Sequence, residues 1–340
     1  MGLNGDILNH TSMRIVAYLL KRAAQLVLLS LLVAFVTFLL SSLIPGDFFS
    51  THILDSSVRT ETVDQMRHAY GLDAPFYVQY LRWLKDLFRL DLGHSMFYQR
   101  PVLQVVADAL AKTLWMGVPA LLLGFGIGIV VGTLHGVVAQ RLQGRLLDSL
   151  SSVLLSLPSL LLGLTALLFA AHTGWFPLGG MNSIADPDAG LWRWAIDRVH
   201  HLILPVVCLT IPILAYVERV QYSATRNGHS ALPARFARSR GLSRSRVFFQ
   251  YILRPGLNPV LSILGPMLGG VLSGSLVLEV IFSWPGLGQI TYDALFNSDL
   301  FLLVGCVLGS SFLLVVGNLL ADFALMVLDP RTRSLTRKGL

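Results

Sequence analysis

Charge is what this sequence has least of. Only 13% of its 340 residues are Asp, Glu, Lys or Arg, while 54% are hydrophobic; a soluble domain carries about 25% charged residues. That shortage excludes an ordinary water-solvated surface and implies a chain with several membrane spans. Cysteine is nearly absent too. Cys208 and Cys306 both lie in apolar runs, which excludes a disulfide framework and a CxxC metal site. Neither an HExxH zinc motif nor a GxxxxGK[ST] phosphate loop occurs, so metalloprotease chemistry and P-loop ATP binding are not expected. His200 and His201 are adjacent, point in different directions from a helix, and read as interfacial. Ser273, Ser275, Ser310 and Ser311 lie in or near spans, but the only histidine within one is His135, near its end. No catalytic residue, metal ligand or bound cofactor is therefore expected, and the chain shows no internal repeat or low-complexity tract.

Ionisable groups inside the spans are scarce as well. Only Glu279 and Asp322 qualify. Proton- or sodium-coupled carriers commonly place such groups near the midplane, and none is evident here. Asp322, beside Asn318, is expected to pair within the bundle or satisfy a neighbouring helix.

What is present is grease in six runs: about 23–44, 113–138, 148–171, 202–218, 259–282 and 301–327. A helix needs about 20 apolar residues to cross the hydrocarbon. The first run follows Lys21-Arg22; it exceeds the roughly 7–15 residues of a signal-peptide core and lacks an A-x-A-like site, so an uncleaved span is expected. Basic residues fall in alternate gaps. Arg14, Lys21 and Arg22 precede the first span, Arg141 and Arg145 follow the second, eight arginines occupy 219–258, and Arg331, Arg333, Arg337 and Lys338 fill the tail. The intervening gaps 172–201 and 283–300 are acidic or carry few bases. The positive-inside bias then predicts both termini in the cytoplasm. The expected organisation is a cytoplasmic segment 1–22, a first helix 23–44, an extracytoplasmic segment 45–112, a core 113–328 containing the cytoplasmic loop 219–258, and a tail 329–340. Within the extracytoplasmic segment, "APFYVQYLRWLKDLFR" (74–89) spaces Phe76, Tyr80, Leu84 and Phe88 at every fourth residue. This predicts an amphipathic helix lying either on the bilayer interface or against the other outer loops. Glycines recur in the second and fifth spans, at Gly124, Gly126, Gly128 and Gly132 and at Gly265, Gly269, Gly270 and Gly274. They suit close helix approach first and pore lining second. Pro158 and Pro266 are expected to introduce kinks.

The densest charge is "ARFARSRGLSRSRVFFQYILRP" (234–255), with six arginines and no acid. Burying each arginine at the bilayer centre costs about 3 kcal/mol, so six would cost roughly 18, and the stretch cannot span. The space between its flanking spans is too small for a nucleic-acid-binding domain. A topology anchor and a docking site both remain. Shape is present for docking: Ala234–Arg240 can form a short helix, Gly241 a C-terminal break, and Ser243 a cap for a second helix. In that second helix Phe248 faces Ile252 and Phe249 faces Leu253.

Here the chain resembles the membrane permeases of ABC importers, in the dipeptide/oligopeptide/nickel branch. Their cytoplasmic signature is EAA-x3-G-x9-I-x-L-P, and this sequence reads "RFARSRGLSRSRVFFQYILRPGLNP". Ala237 matches the last alanine and Gly241 the glycine. Arg235 and Phe236 stand at the first two positions, and Asn258-Pro259 where Leu-Pro is usual. Also similar to that branch are "MRIVAYLLKRAAQLVLLSLLVAFVTFLLSSLIPGD" (13–47), "YGLDAPFYVQYLRWLKDLFRLDLGHSM" (70–96), "VLEVIFSWPGLGQITYDAL" (277–295) and "DPRTR" (329–333). Residues 1–12 fall outside the resemblance, and Met13 is an alternative start.

The resemblance implies an all-α membrane protein of six transmembrane helices with the type I ABC importer permease fold, resident in a bacterial or archaeal cytoplasmic membrane. It implies pairing with a second, similar permease, two cytoplasmic ATPase subunits and an external solute-binding protein, and no nucleic acid. The coupling helix, seated in a cleft of one ATPase, would comprise Arg235, Phe236, Ala237, Arg238, Ser239, Arg240, Gly241, Leu242 and Ser243. ATP and Mg would sit on the partner ATPases and none on this chain. The cargo implied is a peptide or a related small solute such as a nickel chelate. The competing expectation is a standalone secondary carrier or channel, which would work without ATPases.

Overall fold

The computed structural model describes residues 24–25, 27–43, 48–49, 65, 67–68, 71, 73–183 and 190–328, with the side chains of 272–273 and 321–328 excepted. The expected segment 1–22, Met13, residues Pro45-Gly46-Asp47 that close the stretch 13–47, the tail 329–340 and the side chain of Asp322 lie outside the described residues. The described chain is mainly helical and separates into two compact units, one of residues 1–111 with 289–316, the other of 112–288 with 317–340.

The first unit contains the apolar helix α1 (Val27–Leu43) and the amphipathic helix α2 (Phe76–Leu87). They meet through aromatic rings. Tyr80 stands edge-on to Phe35 at 5.2 Å, Phe38 lies 5.7 Å from Trp83, and the Tyr80 hydroxyl donates to the Leu31 carbonyl at 3.3 Å. Trp83 is buried, while Tyr77, Leu81 and Phe88 remain exposed. One face of this helix packs on α1, a partner the sequence did not propose, and another stays bare. A two-residue hairpin, β1 (His94–Ser95) and β2 (Arg100–Pro101), pairs antiparallel and leads into α3 (Val102–Val138). Asp299 fastens the hairpin by accepting from the Ser95 hydroxyl at 2.7 Å and the Phe97 N–H at 3.1 Å. Its other oxygen caps the Leu302 N–H. The Tyr98 hydroxyl donates to Asp293 at 2.7 Å; burial and that carboxylate hold the phenol well above its ordinary range.

The second unit is organised around one long helix. α4 (Leu142–Ser156) and α5 (Ser159–Thr173) are halves of one apolar run bent by 95°. The bend falls at Leu157-Pro158, where both residues take extended ψ angles and the proline ring forbids a continuous helix. α6 (Leu191–Ser230) follows, 40 residues long with Pro205 and Pro212 inside it. It packs on α4, α5, α9 (Arg254–Ser262) and α10 (Leu264–Ile281). Met116, Leu204, Leu209, Ile213, Val217, Leu278 and Phe282 form the core there. Between α6 and α9 come α7 (Leu232–Ser239), α8 (Arg244–Val247) and a π-helical segment, Phe248–Leu253. The chain ends in α11 (Leu287–Phe296) and α12 (Leu300–Leu328).

Among the described residues, α3, α6, α10 and α12 are long and apolar enough to cross a membrane, and counting the bent pair α4–α5 as one span brings the number to five; α1 is apolar but shorter. Three sequence boundaries shift. The second helix starts at Val102 rather than 113, because the segment after the hairpin is already helical. The run expected at 202–218 extends to 191–230. The run 259–282 is interrupted at Ile263, so its first residues belong to α9 rather than α10; Pro266 sits in the first turn of α10, where a proline is tolerated.

Candidate functional site

The arginine-rich stretch folds into the helix–glycine–helix shape expected of it. α6 stops for a single residue, Ala231, whose ψ of 141° is extended, and α7 begins at once with Pro233 in its first turn. Ala234 and Ala237, three apart, turn inward and are buried with Val247 and Ile252; Leu242, Phe248 and Tyr251 pack around them. The end of α7 is a Schellman motif. The Leu242 N–H reaches back to the Ala237 carbonyl at 3.2 Å and the Gly241 N–H to Arg238 at 3.0 Å. Gly241 has φ +75°, and a Cβ there would meet nothing within 4 Å. Conformation, not space, makes the glycine necessary: this left-handed geometry costs other residues about 1–2 kcal/mol.

The expected site residues divide by role. Ala237 is buried and Leu242 half-buried, so they hold the shape. Arg235, Phe236, Arg238, Ser239, Arg240, Gly241 and Ser243 are exposed, with Phe236 showing 66% of its surface. Arg238 donates to the His229 carbonyl at 2.5 Å and so ties α7 back to α6. Ser239 returns its hydroxyl to the Arg235 carbonyl at 3.1 Å. Ser243 occupies the position before α8 but makes no side-chain cap. The apolar face of the second helix is built by Val247 and Ile252; Phe249, expected on it, is 61% exposed. The π turn accounts for this, since one extra residue per turn rotates the face. Among the described residues, Arg235, Arg240, Arg244, Arg246 and Arg254 have no carboxylate partner.

Two buried carboxylates stand apart from this loop. Glu279 accepts from the Thr113 hydroxyl at 2.8 Å and the Gly288 N–H at 2.6 Å, and Thr113 accepts from the Leu287 N–H at 2.7 Å. Glu218 lies 2.5 Å from His135 Nδ1. The apolar run 202–218 ends at Glu218, but the helix continues for three more turns and Glu218 is fully buried. The glycines of the second span serve packing, since Gly124, Gly128 and Gly132 face α6 closely, while Gly126 faces open space. A cavity of about 940 Å³ in the first unit is lined by Thr37, Phe38, Phe76, Met96, Leu300 and Leu303, among others. Its lining is mostly apolar, with Ser41, Ser42, Arg67 and Gln79 among the polar residues. Among the described residues no cluster of His, Cys, Asp and Glu could hold a metal.

A bent pair of apolar helices and a long helix that runs into an exposed, glycine-terminated arginine helix fit a membrane transport subunit. Comparison with known proteins agrees. Residues 124–334 match the family described as binding-protein-dependent transport system inner membrane component, and 15–117 match its N-terminal membrane component. A Brucella abortus (strain 2308) protein named for a peptide transport system permease is 36% identical over 322 residues, covering 93% of this chain and 99% of that one. The oligopeptide transport system permease protein AppB of Bacillus subtilis is 32% identical (93% and 98% covered), and the dipeptide transport system permease protein DppB of Lactococcus lactis 30% (94% and 99%). The chain belongs to this family, the ABC importer permeases, and to its peptide branch. It is a non-catalytic membrane subunit.

Proposed function

We propose that this chain is the pore subunit of an ATP-driven importer for peptides or a related small solute, with 235–243, the end of α7 and its glycine turn, as the segment that an ATPase grips. The observation that carries the reading is continuity. α6 passes through the core of its unit and is separated from the exposed arginine helix by Ala231 alone, so displacing α7 displaces α6. ATP-driven closure of two ATPase subunits, each with ATP and Mg, would move such helices and switch the pore between outward and inward access. A second, similar permease and an external solute-binding protein complete the assembly, and the binding protein sets specificity. The working topology is six spans with both termini in the cytoplasm, α1 and the bent α4–α5 pair counting among them, and 45–112 outside. The relatives' peptide, oligopeptide and dipeptide names support the cargo class.

The arginine face specifies its partner's chemistry. Exposed Phe236 flanked by Arg235 and Arg240 fits an apolar cleft rimmed by carboxylates or carbonyls. Gly241→Asp, or deletion of 234–246, is expected to abolish uptake and to disconnect ATP hydrolysis while membrane insertion stays intact. Uptake assays with ATPase stimulation measured in the same vesicles test this; normal stimulation and transport in either variant overturn the docking assignment. Wild-type chain that transports after purification without any ATPase would point instead to a standalone carrier or channel.

A further inference from the structure

The contact between α3 and α6 holds a buried polar pair that packing alone does not require. Gly124, Gly128, Gly132 and Gly136 recur every fourth residue and share one face of α3. A Cβ added to them would come within 2.5, 2.8, 2.5 and 2.6 Å of Ile213, Val217, Glu218 and Thr225 respectively. α3 therefore lies directly against α6, in the small-residue manner that membrane helices use to gain van der Waals contact. Nothing in such a contact calls for charge. Yet His135 and Glu218, 1% and 0% exposed, meet inside it at 2.5 Å. Tyr222 stacks on the imidazole with ring centroids 3.9 Å apart. Glu218 Oε2 and, one turn on, Gln221 Oε1 have no hydrogen-bond partner among the described residues.

Physical chemistry makes this arrangement expensive as packing. A buried carboxylate oxygen without a donor costs roughly 1–3 kcal/mol, and apolar residues of similar volume commonly replace buried ion pairs without loss of stability. An apolar pair, however, tolerates sliding and rotation, whereas a 2.5 Å hydrogen bond is lost on a displacement of about 1 Å. Register is what the polar pair adds. The next residue extends the same logic to the other side of α6: Arg219 pairs with Asp148 of α4 and donates to Ser152 at 2.5 Å. Consecutive residues of α6 are thereby indexed to α3 and to α4.

We propose that His135 and Glu218 form a register lock between α3 and α6, positioning residues that make the membrane helices follow the arginine helix rather than slip past it. This rests on the reading of 235–243 as the ATPase grip. The test uses the assembled importer in vesicles, with the ATPases that co-purify with the wild-type chain, and follows uptake and ATP hydrolysis together. The double variant His135→Leu/Glu218→Leu is expected to insert, assemble and hydrolyse ATP, but to import about tenfold less per ATP consumed. Glu218→Gln, which keeps the volume and a hydrogen bond to His135, is expected to retain most of the uptake. An unchanged uptake-to-hydrolysis ratio in the double leucine variant overturns the lock. So does failure of that variant to insert or to retain its ATPases, since the pair would then be serving the fold. A Glu218→Gln chain as uncoupled as the double leucine variant also counts against it. Failure of the underlying reading looks different: the wild-type chain would bind no ATPase, or would import without one.

Discussion

Glu279 and Glu218 are both fully buried in the same unit, and their surroundings are opposites. Glu279 is saturated: Thr113 and the Gly288 N–H occupy its two oxygens, and the Trp284 N–H closes on its backbone carbonyl at 2.8 Å. The two N–H groups served by Glu279 and Thr113, those of Gly288 and Leu287, open α11 and so have no intrahelical partner of their own. Trp284, fully buried, donates from its indole to the Lys112 carbonyl at 2.9 Å. The carboxylate thus fixes the turn 282–288. Glu218 is instead half-satisfied, with one oxygen on His135 and the other without a donor. One carboxylate is built to hold a turn in place; the other marks an alignment at some cost in stability.

Substitutions can sharpen that contrast. The largest effect is expected at Glu279→Leu, which strips acceptors from Gly288 and Thr113. Thermal unfolding in detergent should show a loss of about 3 kcal/mol or more, whereas the double leucine variant at 135 and 218 should stay within about 1 kcal/mol of wild type. Equal losses at the two sites would erase the distinction. Next comes Gly132→Ala, whose Cβ would sit 2.5 Å from the Glu218 carbonyl oxygen; overpacking there should cost about 1–3 kcal/mol by the same measurement. Comparable to it is Thr113→Val, which takes away the Thr113 acceptor of the Leu287 N–H and one donor of Glu279 together and should cost about 1–3 kcal/mol. A neutral Thr113→Val would show that α11 has another cap.

The exposed half of this picture was legible in the chain and the buried half was not. Helix, glycine and second helix could be read from 234–255 because propensity, a left-handed glycine and alanine spacing are local signals. The length of α6 could not. A hydropathy window closes at the first charged residues, Glu218 and Arg219, yet both are carried onward by partners on other helices, His135 and Asp148. Those partners lie 83 and 71 residues away in sequence, so no local pattern connects them. The four-residue glycine spacing in α3 was the available clue, since it announces a neighbour close enough to bury whatever side chain faces it. Phe249 was misplaced for a different reason: a π turn leaves no mark in the pattern of apolar residues, and it rotates every side chain beyond it.

Beyond Pro212, α6 runs proline-free to Ser230. From Glu218 to that end is about 18 Å at the rise of an α-helix. Any tilt of this rod about the glycine-backed contact makes Glu218 the fulcrum: a rotation of about 10° carries Ser230 roughly 3 Å while Glu218 scarcely moves. The displacement shrinks from α7 toward Glu218. Distance probes on Phe236 or Arg240 would report such a tilt in full, and probes at His135 only the part that the pair hands on to α3.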